Sequence, residues 1–192
     1  MRYPKGHKAE TRRRILDAAS RMFRERGYEG VGVDAIMNEA GLTAGGFYAH
    51  FDSKEALLAE AMATALEGGE ALSYAKSRDV AGADAIRALI NGYLSRQHRD
   101  HAAEGCPLPA LTPDVARAGD HTRESYEQQL QKYVNEIETL LPEGPSPARD
   151  RALALVAQCV GGMMLSRAVK DEKLSNRILK ACRQAAMKVC EQ

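Results

Sequence analysis

The chain predicts an all-α protein, a small N-terminal module followed by a larger helical domain, and three observations carry that expectation. Apolar residues recur at three- and four-residue intervals along most of the sequence, the period of a helix with one buried face. No run alternates apolar and polar residues for more than a few positions, as half-buried strands would require. The composition agrees: alanine is abundant, aromatics make up 5% and tryptophan is absent, a mix that favours helix over sheet.

The first element runs from Thr11 to Arg26. Its stripe is Ile15, Leu16, Ala19, Met22 and Phe23, and Gly27 follows as a C-terminal stop. Val33, Ile36, Met37 and Ala40 mark a short second helix that ends at Gly41. Thr43 is suited to cap another short helix immediately afterwards. Two short helices joined by a tight glycine-containing turn form a helix-turn-helix, which inserts its second helix into a DNA major groove. The tip of that helix, Ala44-Gly45-Gly46, carries almost no side chain, so its backbone can approach bases and phosphates closely. Each glycine costs roughly 1 kcal/mol against alanine in a helix, which a purely structural helix would avoid. Phe47 and Phe51, four apart, anchor the segment, leaving Tyr48 and His50 to point outward. Asp52 or Ser53 then caps a longer helix whose stripe is Leu57, Leu58, Ala61, Met62, Ala65 and Leu66.

A net charge of +1 over 192 residues says nothing about DNA, but its distribution does. Residues 1–14 hold Arg2, Lys5, Lys8, Arg12, Arg13 and Arg14 against Glu10 alone. A basic arm ahead of a helix-turn-helix lies along phosphates or enters the minor groove, so Lys5, Lys8 and Arg12 are candidate DNA contacts. The densest apolar run, Ala152–Leu165, is shorter than the ~20 residues of a membrane span. No signal peptide opens the chain, and a cytoplasmic location is expected. Cys106, Cys159, Cys182 and Cys190 sit in or beside helical patterns and read as reduced thiols.

The N-terminal third closely resembles the TetR family of transcriptional regulators. The matching residues are Thr11 to Ala19, Phe23-Arg24-Glu25-Arg26-Gly27-Tyr28, Ile36, Ala40-Gly41-Leu42-Thr43, Gly45, Phe47 to Phe51 and Ser53 to Leu58. The resemblance implies a DNA-binding domain over residues 9–69, with the motif at 32–51, and an effector-binding and dimerisation domain over 70–192. It also implies that Thr43, Ala44, Gly45 and Gly46 face bases while Tyr48, His50 and Lys54 hold phosphates. The expected partners are a pseudo-palindromic double-stranded operator, a second copy of the chain and a small-molecule effector. No membrane, cofactor or metal is expected. One departure stands out: Gly32 occupies the position where the family usually caps its second helix with Thr or Ser.

Beyond Gly68-Gly69 the helices expected are Val80–Gln97, then Pro107 to about Ala116, then one marked by Tyr126, Leu130, Tyr133, Val134, Ile137, Leu140 and Leu141. The run Pro142-Glu143-Gly144-Pro145-Ser146-Pro147 is the clearest loop. The last two helices, about Ala148–Val169 and Leu174–Glu191, are candidates for a twofold interface, with Gln158, Gly162, Leu165, Ile178, Cys182 and Ala186 contacting the partner. Between 98 and 107 several readings compete. His98, His101 and Cys106 lack a strong metal spacing. Cys106 with a histidine base is an alternative thiol-dependent enzyme, although no oxyanion-stabilising motif accompanies it. At the start of the Pro107 helix Cys106 could instead be a sensor thiol, or simply a packing residue. Tyr93, Cys106, Leu108, Tyr126 and Met163 are the expected lining of an apolar effector cavity. The sequence therefore predicts a ligand-responsive regulator, a repressor rather than an enzyme, released from its operator by a small molecule or by modification of Cys106.

Overall fold

The computed structural model describes residues 7–67 and 81–191. Among them every regular element is a helix. We label them α1 (His7–Arg26), α2 (Val33–Glu39), α3 (Lys54–Glu67), α4 (Gly82–Tyr93), α5 (Arg96–Asp100), α6 (Leu108–Val115), α7 (Asp120–Leu140), α8 (Ala148–Ala168) and α9 (Glu172–Glu191), with short 3-10 turns at Ala44–Ala49 and Ala102–Glu104. Gly68-Gly69, Lys5 and the expected boundary at residue 70 lie outside the described residues.

The N-terminal module closes around the predicted stripe. Ile15, Ala19 and Phe23 of α1, Ile36 and Met37 of α2, Phe47, and Leu57, Leu58 and Met62 of α3 are all essentially inaccessible to solvent. Both predicted glycine stops adopt the left-handed backbone that favours this residue, Gly27 at φ 73° and Gly41 at φ 68°. The amide of Gly27 donates to the carbonyl of Phe23 (2.9 Å) and that of Leu42 to Met37 (2.8 Å), closing the helix ends. Arg14 reaches across from α1 to the carbonyl of Ala40 (2.5 Å), tying the turn to the first helix.

In the larger domain, α4, α6, α7 and α8 enclose a core of Ile86, Leu89, Ile90, Tyr93, Leu111, Val134, Ile137, Leu155 and Met163. α9 packs along α8. The expected helix 80–97 is shorter: Leu94 leaves the helical region at φ −88°, ψ 38°, and Ser95 starts α5 by accepting from the amide of His98 (3.1 Å). Ser95 is a good cap in mid-pattern, and it outweighs the apolar periodicity that runs through it. α7 begins at Asp120, a turn and a half before its first apolar residue, because Glu55 supplies an acceptor for its first free amide.

Candidate nucleic-acid interface

The recognition segment departs from the sequence reading in kind. Ala44–Ala49 is a 3-10 turn, and Thr43, though extended at φ −83°, ψ 143°, forms no side-chain cap. Its hydroxyl therefore does not stabilise the segment. The anchoring falls to Phe47 and Phe51, whose rings stack at 5.8 Å, with Phe47 wholly buried. The short 3-10 pitch brings residues three apart into line. Tyr48, 73% exposed, thus stands one turn above Gly45 at the surface.

The glycines are informative for what they do not touch. A Cβ on Gly45 would meet nothing within 4 Å, and Gly45 does not have the positive φ that demands glycine. A Cβ on Gly46 would lie 3.6 Å from Met37 Cε, ordinary contact. Neither residue is required by the chain's own packing. Gly32 likewise has open space, an extended backbone and no side-chain cap for α2.

Thr43, Ala44, Gly45 and Tyr48 are exposed together, with Gly46, His50 and Lys54 half-buried beside them. Lys54 Nζ lies 4.0 Å from the centroid of the Tyr28 ring, which holds the ammonium at the start of α3. Lys8 is exposed on the first turn of α1. Arg12 has partners within the chain: its guanidinium sits 4.4 Å over the Phe51 ring and pairs with Glu60 at 2.5 Å. The aromatic face and the carboxylate hold the guanidinium so that it braces α1 against α3, while about a third of the side chain, 36%, stays exposed. Charge counting along the sequence could not reveal this, since Glu60 is 48 residues away.

The effector-domain candidates divide. Tyr93, Cys106, Leu108 and Met163 are no more than 2% exposed and form packed core. Only Tyr126 reaches an open cleft, of about 430 Å³ between α6 and α7, where its hydroxyl pairs with that of Thr112 at 2.9 Å. Burial pushes the Cys106 thiol above its ordinary value, against the weaker influences of its hydrogen bond with Tyr93 and of the Leu108 amide at the helix start. Desolvation therefore outweighs the helix N-terminus that would have favoured the thiolate.

His98 is equally enclosed. Its Nδ1–H donates to the Tyr93 carbonyl (2.7 Å), and its Nε2 accepts from the Cys106 amide (3.0 Å). Burial, helped by Arg167 and Arg24, lowers its pKa to about 4, so the imidazole is neutral. Both ring nitrogens are thus committed within the chain, and neither a base for Cys106 nor a metal ligand is presented. Beside it, Arg24 of α1 donates to the Gly105 carbonyl (2.9 Å), and Arg167 of α8 to the His98 carbonyl (2.5 Å).

Sequence reasoning missed three contacts that join the two modules. They are Arg24 with Gly105, the Tyr28 amide with Asp114 Oδ2 (3.1 Å), and Glu55 Oε1 with the Gly119 amide (2.8 Å) and Thr122 hydroxyl (3.0 Å). Each pairs a module-one residue with the end of α6 or α7 or the loop before them, more than 60 positions away.

The expected partner-facing residues divide. A Cβ on Gly162 would lie 2.7 Å from Cys182 Sγ, and Ala186 is wholly buried, so these three serve the α8–α9 packing within one chain. Ile178 and Gln158 are half-buried, and Leu165 is 59% exposed. The open face of α8 is the adjoining stripe: Leu153, Ala154, Ala157, Leu165 and Ala168 are exposed, and Gly161 has nothing within 4 Å of its Cβ position. On α9 the exposed apolar residues are Leu174, Ala181 and Ala185. No described helix is long and apolar enough to cross a membrane.

Comparison with known proteins agrees with this architecture. Residues 15–61 match the sequence model of the bacterial regulatory proteins of the tetR family. Over 167 residues, covering 84% of this chain and 89% of the relative, the sequence is 26% identical to the HTH-type transcriptional regulator LmrA of Bacillus subtilis. Two solved structures superpose with a TM-score of 0.77: a TetR transcriptional regulator from Chloroflexus aurantiacus, 24% identical with 96% of both chains covered, and the reduced form of NemR from E. coli, 17% identical with 92% and 95% covered. With its helix-turn-helix, exposed glycine tip and all-helical second domain, the chain carries a tetR-family DNA-binding domain over residues 15–61 and shares the fold of the TetR regulators over its length.

Proposed function

We propose that the protein is a homodimeric repressor that occupies a pseudo-palindromic operator and leaves it when a small molecule binds the C-terminal domain. The observation that carries the DNA assignment is the exposed tip: two glycines that the fold does not need, below a tyrosine 73% exposed. Thr43, Ala44, Gly45 and Gly46 lie against bases in this reading, with Tyr48, His50, Lys54 and Lys8 on phosphates. Arg12 braces α1 against α3 and keeps about a third of its side chain, 36%, exposed for a phosphate. The domains follow the division at residue 70, and the protein works in the cytoplasm without catalysing a reaction.

The second copy docks on the exposed stripe of α8 and α9 around Leu165 and Leu174, forming a four-helix, twofold contact that presents two recognition segments to successive half-sites. An effector needs to supply only ~1–3 kcal/mol of coupling to release DNA. The contacts of Arg24, Asp114 and Glu55 give that coupling a material route between the modules. A reversible ligand accounts for release better than modification of Cys106, because the buried thiol is held protonated. The same burial disfavours the alternative thiol-dependent enzyme.

Footprinting on the DNA upstream of the protein's own gene tests the reading. A protected palindrome, weakened by Tyr48→Ala with the fold intact, is expected. Protection that is absent, or unaffected by that change, overturns it.

A further inference from the structure

Among the described residues, Arg151 is the arginine with the most buried donors left without a partner. Arg151, in the second turn of α8, is 5% exposed. Its Nη2 donates to the Pro142 carbonyl at 2.5 Å. Its Nε and Nη1, three N–H groups in all, have no hydrogen-bond partner among the described residues. The acidic residue at that end of α7, Glu138, is engaged by Arg149 instead (3.4 Å), as is Asn135. A buried guanidinium with most of its donors idle is costly unless an acceptor arrives. Arginine presents planar, permanently charged N–H groups suited to carboxylates.

A second buried polar group lies farther along α8. Tyr93, at the end of α4, is 1% exposed, and its hydroxyl faces the Cys106 thiol, with Cys159 and Tyr133 nearby. Cys159 is eight residues from Arg151 on α8, about 12 Å along the axis. Between the two ends the facing residues are apolar and buried: Leu155 on α8, with Val134 and Ile137 on α7.

We propose that Arg151 anchors an organic anion, a carboxylate with an apolar tail, which enters beneath the exposed 142–147 loop and lays its tail between α7 and α8 toward Tyr93. The carboxylate takes the idle Nε and Nη1 donors. The apolar tail parts the Leu155, Val134 and Ile137 contacts. This names the effector class for the proposed regulator and depends on that reading only for its consequence at the operator.

The test is titration calorimetry and thermal unfolding of the full chain with decanoate, decanol, decyltrimethylammonium, acetate and inorganic phosphate. Decanoate is expected to bind and raise the melting temperature more than any of the others. Arg151→Met weakens decanoate binding by about 10- to 100-fold, the loss of a charge-assisted contact, and Arg151→Lys recovers part of it. Without ligand, Arg151→Met melts no lower than the natural protein, since it removes an uncompensated charge. Equal decanoate affinity in Arg151→Met, equal stabilisation by decanol or phosphate, or an Arg151→Met protein that melts markedly lower without ligand each overturns the proposal. Operator binding measured on ligand-free protein is a separate readout, so failure of the regulator reading is seen independently.

Discussion

Gly45 and Gly105 are both glycines in short irregular segments, yet their surroundings are opposite. A Cβ on Gly45 would point into empty space, whereas one on Gly105 would lie 2.4 Å from His98 Cδ2 and 2.5 Å from its Nε2. The recognition segment is thus shaped for something outside the chain, and the His98–Gly105 junction for its own neighbours. At the junction, Tyr93, His98, Gly105, Arg24 and Arg167 answer one another's hydrogen bonds, leaving little slack. At the tip, stability has been given up and no contact within the chain explains it. Residue type alone does not separate the two cases; the space around each Cα does.

The largest effect should come from the junction's histidine. In the unfolded chain His98 titrates near 6.5, while in the fold its pKa is about 4. The neutral form is favoured by folding, so the unfolded state binds more protons between those values and stability falls as pH drops through that window. The loss is roughly 3 kcal/mol in full. Denaturant titrations at pH 7 and pH 4.5 should show it, and His98→Gln should flatten the slope; an unchanged slope would mean the imidazole is solvated. Next, Gly105→Ala should destabilise by about 1–3 kcal/mol, because the ring of His98 cannot retreat without releasing Tyr93 or Cys106.

Tyr48→Ala should cost operator affinity about tenfold or more while leaving the melting temperature within error, a loss of phosphate positioning across all sequences. If stability falls instead, the tyrosine belongs to the fold and the comparison breaks. The smallest effect is the sharpest: Gly45→Ala should raise stability by up to ~1 kcal/mol yet weaken DNA binding in an anisotropy titration. Both moving down together would mean that the backbone needs glycine for itself.

Much of this was readable from residues alone. The glycine stops at 27 and 41, the anchors Phe47 and Phe51, the 148–168 helix and the 142–147 loop each rest on local chemistry, a left-handed backbone, a four-residue spacing or a cluster of prolines. The tip of the motif was legible because adjacent glycines at an expected helix start are locally unfavourable. By contrast, Ser95 was hidden inside an apolar pattern that continued past it. The 3-10 form of the recognition segment, without a Thr43 cap, was equally unavailable, since Gly45 and Gly46 supply too little helix propensity to fix an α-helical turn.

Sequence by itself determined that the chain is helical, where most of its longer helices lie, and that its N-terminal third carries a helix-turn-helix. The tertiary structure decided which side of α8 points inward. A helix apolar nearly all round has no preferred face, so only its neighbours could assign Gly162 to Cys182 and leave Leu165 at the surface. It also decided that Arg12 braces Phe51 and Glu60, that Cys106 is sealed, and that Arg151 is buried with its donors idle. Local spacing encodes periodicity and propensity, but burial and charge pairing depend on residues brought together from distant parts of the chain.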